Sequence, residues 1–421
     1  MSTVDRIELW HVAVPLPATF RPSWIPGFPQ NENRFDLIRV FTDDGLEGVA
    51  AGPAMGNERE GLGSLLGPYM LGEDATDIAA VQQRLRELGY LGWRNFWIEP
   101  AFWDIAGKRA GKSVCELLTG KPPPRTVRLY ASTGEVKEPR ARIEEAERRL
   151  AEGFTTIKLR VHDFDEAVDI RQVVETAKAV GDRMKIAVDA NQAWRVAAIA
   201  DAPIWDLARA KRFADACADV GVAWIEEPLP MDAWDDQAAL AAYSKVPIAG
   251  GETHHGGLPE LRMMIERRCY DVFQPDAVFT GGIAQTWEIV KLCKQHGLGY
   301  SPHTWTNGFG FAVNLQLKAA SVVSSEHGEG DVPLEYPYDP PGWTPEARDG
   351  VLARPFLHDR GSLEVPSGPG LGITIDERAL RKWGRRTFVM DKKRLVWFAL
   401  QDRGLRAAME INRTRKSRRR G

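Results

Sequence analysis

The sequence predicts an α/β protein built around a (β/α)8-type barrel, and two regular features of the chain lead to that prediction. Short apolar runs alternate with helical stretches through the middle of the 421 residues. A polar residue also stands at the end of nearly every apolar run, at intervals of 24 to 37 residues by subtraction of the residue numbers. A parallel strand with its crossover helix takes about that length. The residues are Lys158, Asp189, Glu226, Glu252, Asp276, His303 and Glu335.

The polar residues matter because the carboxyl ends of barrel strands are where such folds place their chemistry. A single Asp or Glu after a strand is often only a helix cap, but seven in succession favour a functional set. An open doubly wound sheet is the alternative fold, and it would confine these residues to one switch point. The chain also has no GxGxxG after its first strand, so the usual sign of a dinucleotide site is missing.

The first 125 residues precede the repeat and are predicted to form a separate α+β domain. Residues 6–16 have strand character, and residues 35–52 contain two apolar runs joined by a Asp-Asp-Gly turn at 43–45. Such a turn between alternating runs is typical of a hairpin. The intervening residues 19–33 are rich in Pro, Asn and aromatic residues, so we expect a loop there.

Helical patterning follows this hairpin. Apolar residues recur at three and four positions in residues 77–90 and again in residues 101–120, which end at a glycine. Three consecutive prolines, Pro122 to Pro124, then interrupt the chain. We place a domain boundary near residue 125 for this reason.

Residues 126–345 carry the βα rhythm of the predicted barrel. The strand candidates are VRLYAST, TIKLRV, KIAVDA, VAWIEEP, PIAGGE, DVFQPDA, GYSPHT and VPLEYP. Seven helical stretches separate them, so we expect the eighth helix to be replaced by another structure. Residues 352–373 look like turns and short strands, and the whole segment 346–421 is predicted to pack on the N-terminal domain.

Composition excludes several classes of function. The net charge is −3 and 27 % of the residues are charged, which predicts neither a nucleic-acid partner nor a membrane surface. Four scattered cysteines without a CxxC fit a reducing cytoplasm, and we see no secretory signal and no apolar run of membrane-spanning length. The basic residues in 413–421 are expected to form a solvated, mobile tail.

Three carboxylates on successive strand ends predict a metal site. Asp189, Glu226 and Glu252 offer oxygen ligands without thiolates or clustered histidines, which suits Mg²⁺, with Mn²⁺ as the alternative. Without a cation, crowded carboxylates would raise one another's pKa. Glu227 follows Glu226, and neighbours on a strand point to opposite faces, so the pattern leaves open which of the two faces the metal.

The next two strand ends predict an acid–base pair. Asp276 lies at the end of the sixth strand and His303 at the end of the seventh, so the two side chains are neighbours in a barrel. A carboxylate beside an imidazole orients it and makes it more basic. We therefore expect His303 to take a proton from the substrate.

The remaining polar residues of the set suggest substrate contacts. Lys158 and Arg160 lie on one face of the second strand, and Lys158 suits a substrate carboxylate. Arg160 stays charged at any working pH and is a poor base; a structural ion pair is its alternative role. Asn191 is either a substrate ligand or a turn former, and a protonated Glu335 would donate to a developing oxyanion.

These motifs together resemble the enolase superfamily, mandelate racemase subgroup. The resemblance covers residues 5 to 375 and lies in K-x-R, D-A-N, I-E-E-P, G-E, P-D and S-P-H at strands two to seven. It implies a capping domain built from N- and C-terminal segments, with mobile loops over the barrel mouth. It implies Mg²⁺ on Asp189, Glu226 and Glu252, a His303–Asp276 base, and substrate contacts at Lys158, Asn191 and Glu335.

One departure from the subgroup narrows the expected reaction. A second lysine base is common at the position of Arg160, so the arginine argues against two-base racemisation. The stretch GETHHGG is similar to what some acid-sugar dehydratases carry, which implies substrate contacts at His254 and His255, although a loop role is equally consistent. The expected enzyme is a hydro-lyase that makes a 2-keto-3-deoxy acid from an acid sugar.

Two other functions remain open from the sequence. One is a racemase or epimerase of the same superfamily, and the other is a non-catalytic binding member. We expect a small sugar acid as the partner, no nucleic acid or membrane, and a homo-oligomer. The sequence does not identify the sugar.

Overall fold

Two sheets organise the described part of the chain in this computed structural model. One sheet is antiparallel, and the other contains eight parallel strands in consecutive order. This arrangement is the predicted α/β architecture, a (β/α)8-type barrel with an α+β unit, and the prediction of fold class is confirmed. The described residues are 2–54, 67, 69–90, 95–194, 200–325 and 332–418.

The first part of the chain forms three strands followed by three helices. Gly45, at φ 86°, makes the predicted hairpin turn, because glycine adopts this left-handed conformation without strain. The helical stretch predicted over 101–120 is two helices, since Gly111 ends the first in the left-handed conformation and Ser113 caps the second. The elements are β1 Val4–Phe20, β2 Gln30–Thr42, β3 Glu47–Pro53, α1 Ile78–Tyr90, α2 Pro100–Ala110 and α3 Val114–Thr119.

The loop predicted over residues 19–33 is shorter in the structure. β1 and β2 stay paired as far as Phe20 and Gln30, so residues 21–29 make the connection. The composition suggested a loop, but sheet pairing uses main-chain groups and strand propensity depends on the neighbouring strand. The short loop lies against the barrel, where the Ser23 N–H donates to the Gly134 carbonyl at 2.8 Å.

The barrel follows the predicted order of strands and helices. Its strands are β4 Thr126–Ser132, β5 Thr156–Arg160, β6 Lys185–Asp189, β7 Ile225–Glu226, β8 Ile248–Gly250, β9 Val272–Phe273, β10 Gly299–Tyr300 and β11 Leu334–Pro337. Its helices are α4 Pro139–Ala151, α5 Glu166–Val180, α6 Leu207–Ala218, α7 Trp234–Tyr243, α8 Leu258–Glu266, α9 Ala277–Thr280, α10 Gly282–Gln295 and α11 Gly308–Ser324. Seven of these helices match the predicted stretches, and α9 is a short additional turn.

Side chains join the last two strands of the barrel. The Ser301 hydroxyl donates to the Pro333 carbonyl at 2.6 Å. The buried Lys318 ammonium donates to the Val332 carbonyl at 2.8 Å and to the Tyr300 carbonyl at 3.4 Å. These bonds connect the chain around β10 to the chain before β11, where the ladder of parallel pairs ends.

The chain after β11 divides between the two sheets. Its elements are α12 Pro345–Arg348, β12 Ser362–Glu364, α13 Glu377–Trp383, β13 Gly384–Asp391 and α14 Lys392–Arg418. β12 pairs antiparallel with β4 of the barrel, and β13 pairs antiparallel with β1. We propose the division into 1–125, 126–345 and 346–421 as domains, with the last segment joining the other two.

The basic end of the chain is helical as far as the structure describes it. Residues 413–418 are the last turns of α14, and residues 419–421 lie outside the described residues. Arg and Lys favour helix, and four of the six residues 413–418 are Arg or Lys. Among the described residues, no helix is long and apolar enough to cross a membrane.

A buried carboxylate links the N-terminal helices to the barrel. Glu99, just before α2, accepts hydrogen bonds from the backbone N–H of Ile283 at 2.7 Å and of Ala284 at 3.1 Å. Gln82 and Trp103 donate to the same carboxylate. Glu99 therefore holds the first turn of α10, directly after the segment that carries Asp276.

Candidate active site

The seven polar residues lie together at the carboxyl ends of the barrel strands. Lys158 and Glu335 are on β5 and β11, while Asp189 and Glu226 are the last residues of β6 and β7. The other three follow their strands by two or three residues. Glu252 is partly exposed and the other six are buried. Because these side chains are largely buried, electrostatic interactions between them are stronger than they would be in water.

Lys158 is the cation at the centre of these acids. Its ammonium nitrogen lies 2.6 Å from Glu226, 2.7 Å from Glu335 and 3.4 Å from Asp189. Burial acts to lower the pKa of Lys158, but the carboxylates of Glu226 and Glu335 outweigh it and hold the pKa above its usual value. Lys158 is therefore charged and cannot act as a base in this arrangement.

Arg160 is fixed in place from several sides. Its guanidinium pairs with Asp189, and its Nε donates to the Thr133 carbonyl at 2.6 Å. The guanidinium carbon lies 5.2 Å from the centre of the Trp24 ring and 5.6 Å from that of Trp305, within the range of cation–π attraction. Burial works to lower the pKa of Arg160, but Asp189 and the other acids raise it overall. The structural ion pair considered from the sequence is present.

Two consecutive glutamates at the end of β7 have different surroundings, since Glu226 is the last residue of the strand and Glu227 follows it. Glu226 accepts from Lys158 and, at 2.8 Å, from the Gln274 amide; burial raises its pKa to about 7. Glu227 has φ 48°, and its Oε1 has no hydrogen-bond partner in the described residues. Burial, followed by the charge of Glu252, raises the pKa of Glu227 well above its usual range.

The chemistry of this acid cluster fits a divalent cation. In the described part of the chain, no three His, Cys, Asp or Glu side chains already form a metal-binding group, because Lys158 and Arg160 draw the oxygens of Asp189 and Glu226 toward themselves. Burial raises the pKa of Glu252, and repulsion by Asp189 and Glu335 adds to the rise, although the nearby charge of His303 works against it. Hard oxygen ligands with excess negative charge suit Mg²⁺ or Mn²⁺.

His303 and Asp276 form the predicted pair. The His303 Nδ1 lies 3.0 Å from an Asp276 oxygen, and its Nε2 lies 3.4 Å from Glu252. Asn314 donates to the other Asp276 oxygen at 2.8 Å. Burial acts to lower the pKa of His303, but Glu252, Glu335 and Asp276 outweigh it and raise the pKa to about 9. Asp276 thus orients the ring so that Nε2 faces the acid cluster.

The surroundings of Glu335 favour its ionised carboxylate, whereas the predicted oxyanion contact requires the protonated acid. Burial acts to raise its pKa, but Lys158, His303 and Arg160 outweigh it and lower the pKa to about 2. The Ser132 hydroxyl donates to one oxygen at 2.8 Å, and the Thr304 N–H donates to the other at 2.7 Å. In this arrangement Glu335 is an anion that neutralises Lys158.

Three predicted substrate contacts have protein partners. Asn191, at φ 48°, accepts a hydrogen bond from the Ser23 hydroxyl at 2.7 Å. The ring nitrogens of the buried His254 lie 3.0 Å from Glu260 and 3.4 Å from the Tyr270 hydroxyl. His255 is exposed, with Nδ1 3.3 Å from the Phe279 carbonyl. Only Asn191 of these three lies beside Arg160, from which it also accepts a bond at 3.3 Å.

Sequence reasoning missed several residues of the site. Ser23 and Trp24 come from the loop between β1 and β2, Gln274 follows β9, and Asn314 lies on α11. Gln274 stands inside the motif DVFQPDA, directly before the proline, which is the one signal that could have identified it. The other three have no fixed spacing from the strand ends and reach the site through tertiary packing.

Two family models match this chain, and together they span most of it. The mandelate racemase / muconate lactonizing enzyme N-terminal domain matches residues 8–119. The enolase C-terminal domain-like model matches residues 141–379, more than half of the chain.

Individual relatives agree with the family models. The chain is 30% identical to a D-galactarolactone cycloisomerase of Agrobacterium fabrum over 378 residues, 85% of this chain and 94% of that protein. It is 28% identical to an arabinonate dehydratase of Saccharolobus solfataricus over 373 residues, 85% and 93% of the two chains. The structure of an L-talarate dehydratase from Polaromonas sp. JS666, complexed with Mg and L-glucarate, superposes with a TM-score of 0.74 and 25% identity, covering 93% of this chain and all of that one.

Proposed function

The chain belongs to the mandelate racemase subgroup of the enolase superfamily and is an enzyme of the lyase class, and from this premise we propose that it is a Mg²⁺-dependent acid-sugar dehydratase. The observation that supports this most is the pairing of His303 with Asp276 at 3.0 Å, together with an arginine at position 160 that is a poor base. Relatives named as dehydratases of acid sugars support the reaction class.

The residues Asp189, Glu226 and Glu252 would hold the metal ion. When bound, Mg²⁺ would supply positive charge to the substrate carboxylate and to the enediolate that forms from it. The ion would also offset the burial and the neighbouring acidic charges that raise the pKa of Glu226 and Glu252. Mn²⁺ would bind the same oxygens.

His303 carries the proton steps of the proposed reaction. A divalent cation bound to Glu252 would offset the charge that raises the pKa of His303 most, which favours the neutral ring. Its Nε2 then takes the proton from C2, and the electrons of the broken C2–H bond move toward the carboxylate. The C3 hydroxyl then leaves as water with a proton returned by His303, as its C–O electron pair departs. The electrons return from the carboxylate to form a C2=C3 double bond, and the resulting enol takes a proton at C3 and releases the proton of its C2 hydroxyl to become the 2-keto-3-deoxy acid.

Asp276 and Lys158 support these steps without taking the proton. Asp276 keeps Nδ1 of His303 engaged, so that Nε2 is the nitrogen available to substrate. Lys158 is positively charged and stands between Glu226 and Glu335, where it contributes to binding a substrate carboxylate. We also propose His254 and His255 as substrate contacts, but with less support, because the ring of each already has a partner within the protein.

A panel of acid sugars tests the proposal. Purified protein is incubated with Mg²⁺ and a set of aldonates and aldarates, and 2-keto acids are measured by semicarbazide absorbance and NMR. We expect one or a few acids to yield a keto acid, with activity lost on chelation and restored by Mg²⁺. Turnover without a divalent cation, or C2 inversion without keto acid, would replace the dehydratase by another reaction.

A further inference from the structure

The segment between Asp276 and α10 rests on the N-terminal domain. α9 begins directly after Asp276, whose carboxylate caps it by accepting the Val278 N–H at 3.0 Å. Val278 is buried in a hydrophobic cluster made largely of N-terminal residues, including Phe102. Phe279 packs on the same cluster, and its ring centre lies 6.0 Å from that of His303. The N-terminal domain therefore contacts the short helix that joins Asp276 to α10.

Glu99 holds the far end of this segment. Its buried carboxylate accepts the N–H of Ile283 with one oxygen and that of Ala284 with the other. Negative charge at the first turn of a helix is favourable. Gly282, at φ 78°, lies so close that a Cβ atom there would be 2.7 Å from a Glu99 oxygen. The contact leaves no room for a side chain at residue 282, so the Glu99 carboxylate fixes where α10 begins.

The surroundings of Glu99 suit a carboxylate. Four N–H groups donate to it: two from the backbone of α10, one from the Gln82 amide at 2.9 Å and one from the Trp103 ring at 2.8 Å. A carboxylate only accepts, whereas a glutamine would bring its NH₂ group against at least one of these donors. Burial raises the pKa of Glu99, and the four hydrogen bonds act to lower it. Glutamine is therefore the variant that keeps the shape of the side chain and disturbs its bonds.

We propose that Glu99 is a positioning residue for the proposed base: it fixes the start of α10 and thereby the carboxylate of Asp276, which orients His303. Gly282 is six positions after Asp276, and the Thr280 N–H donates to the Asp276 carbonyl at 2.8 Å, so a shift at one end of α9 moves the other end. Misplacement of a reacting group by about 1 Å can cost about 10²-fold in rate. The kinetic part of the inference rests on the proposed dehydratase function.

Asp104, on α2, offers a matched control. It is also buried, and it accepts the backbone N–H of Val49 at 3.2 Å and of Leu371 at 2.9 Å. Lys108 donates to it as well, at 2.8 Å. These partners lie on β3, after β12 and on α2, so none belongs to the segment from Asp276 to α10. Asp104→Asn therefore removes a buried carboxylate of the same kind without touching the proposed link.

Kinetics with a C2-deuterated substrate test the inference. The wild type, Glu99→Gln and Asp104→Asn are assayed with Mg²⁺ and the productive acid sugar. We expect Glu99→Gln to lower kcat at least about tenfold with KM within about twofold, and to keep or increase the isotope effect on kcat because proton abstraction is slower. Asp104→Asn should lower Tm but keep kcat. Equal losses of kcat in the two variants, or a smaller isotope effect in Glu99→Gln, would overturn the inference.

A milder variant serves if Glu99→Gln fails to fold. Gln82 donates to Glu99 and, at 3.3 Å, to the Gly281 carbonyl, so Gln82→Ala loosens the same contact while the carboxylate stays. We expect kcat to fall about two- to fivefold, the effect of one hydrogen bond, with KM unchanged. Wild-type kcat in this variant would reject the positioning role.

Nuclear magnetic resonance separates the inference from the proposed function. In ¹⁵N-histidine-labelled, Mg²⁺-loaded protein, the Nδ1 signal of His303 is assigned by its loss in His303→Asn. We expect Glu99→Gln to shift this signal, because the bond to Asp276 changes, and Asp104→Asn to leave it in place. A shift without any turnover supports the positioning role while the dehydratase proposal fails. An unshifted signal rejects the positioning role whatever the activity.

Discussion

At the scale of single residues, the site is organised by two fixed cations and one titratable ring. Lys158 and Arg160 neutralise Asp189, Glu226 and Glu335, whereas His303 is oriented by Asp276 so that its other ring nitrogen faces the acid cluster. Replacing His303 by Asn should lower kcat by about 10³-fold or more while folding is retained, because general bases contribute roughly 10²–10⁴-fold. Steady-state rates and the circular dichroism melting curve check this, and Asp276→Asn, which keeps the ring, should lose less. A His303→Asn protein with wild-type turnover would mean that another base acts.

Arg160 also bears on which C2 epimer of the substrate reacts. Since Arg160 is held by Asp189, Thr133 and two tryptophan rings, no proton acceptor faces His303 from β5. We therefore expect the wild-type protein in D₂O to exchange the C2 proton of one C2 epimer of its acid sugar and to leave the other unlabelled. Proton NMR of recovered substrate measures the exchange. Similar rates for both epimers would indicate a second base and move the assignment to racemase or epimerase.

At the scale of elements, the loops after β4 and β11 are joined by a buried acid. Asp339 accepts from Lys137 at 2.7 Å and from the backbone N–H of Gly134 and Glu135 at 2.9 Å. Burial acts to raise the pKa of Asp339, but Lys137 and Arg142 outweigh it and lower the pKa below its usual 3.8. A carboxyl with a depressed folded-state pKa stabilises the protein above its unfolded-state pKa, and this contribution is lost as pH falls through the folded-state pKa.

Replacing Asp339 by Asn should reveal this pH dependence. At pH 7 we expect the variant to lose roughly 2–3 kcal/mol of unfolding free energy. Below the usual pKa of 3.8, the difference from wild type should narrow. Urea unfolding of the metal-free proteins at pH 7, 5 and 3.5 measures it. A difference that is the same at every pH would show that Asp339 acts by packing rather than by charge.

At the scale of the whole molecule, the last described element is α14, and the buried residues described on it lie near its start. Leu395 and Ala399 are buried, while Gly404 interrupts the helix at φ 78° and Leu405 is 64% exposed. Deleting residues 405–421 should therefore change Tm by less than about 2 °C and leave kcat/KM unchanged. Deletion from residue 392, which removes the buried residues as well, should destabilise the protein. If the shorter deletion lowered the activity or changed the oligomer size, the basic end would be shown to bind a partner.

The sequence by itself determined the barrel, its strand ends and the residues that face one another there. Those predictions succeeded because a parallel strand buries both faces and each strand delivers its last residue to the same end of the barrel. The hairpin turn at Gly45 was also predictable, because it depends on residues that are adjacent in the sequence. The length of the β1–β2 loop was misjudged, since composition does not report which main-chain groups find partners.

Only the tertiary structure decided how the polar residues share their charges. The ionised state of Glu335 follows from Lys158 at 2.7 Å, and the immobility of Arg160 follows from two tryptophans that are distant in sequence. Ser23 reaches Asn191 across 168 positions of the chain. Hydrogen bonds and charge pairs act over a few ångströms, so their partners depend on distances in space that no periodicity along the sequence encodes.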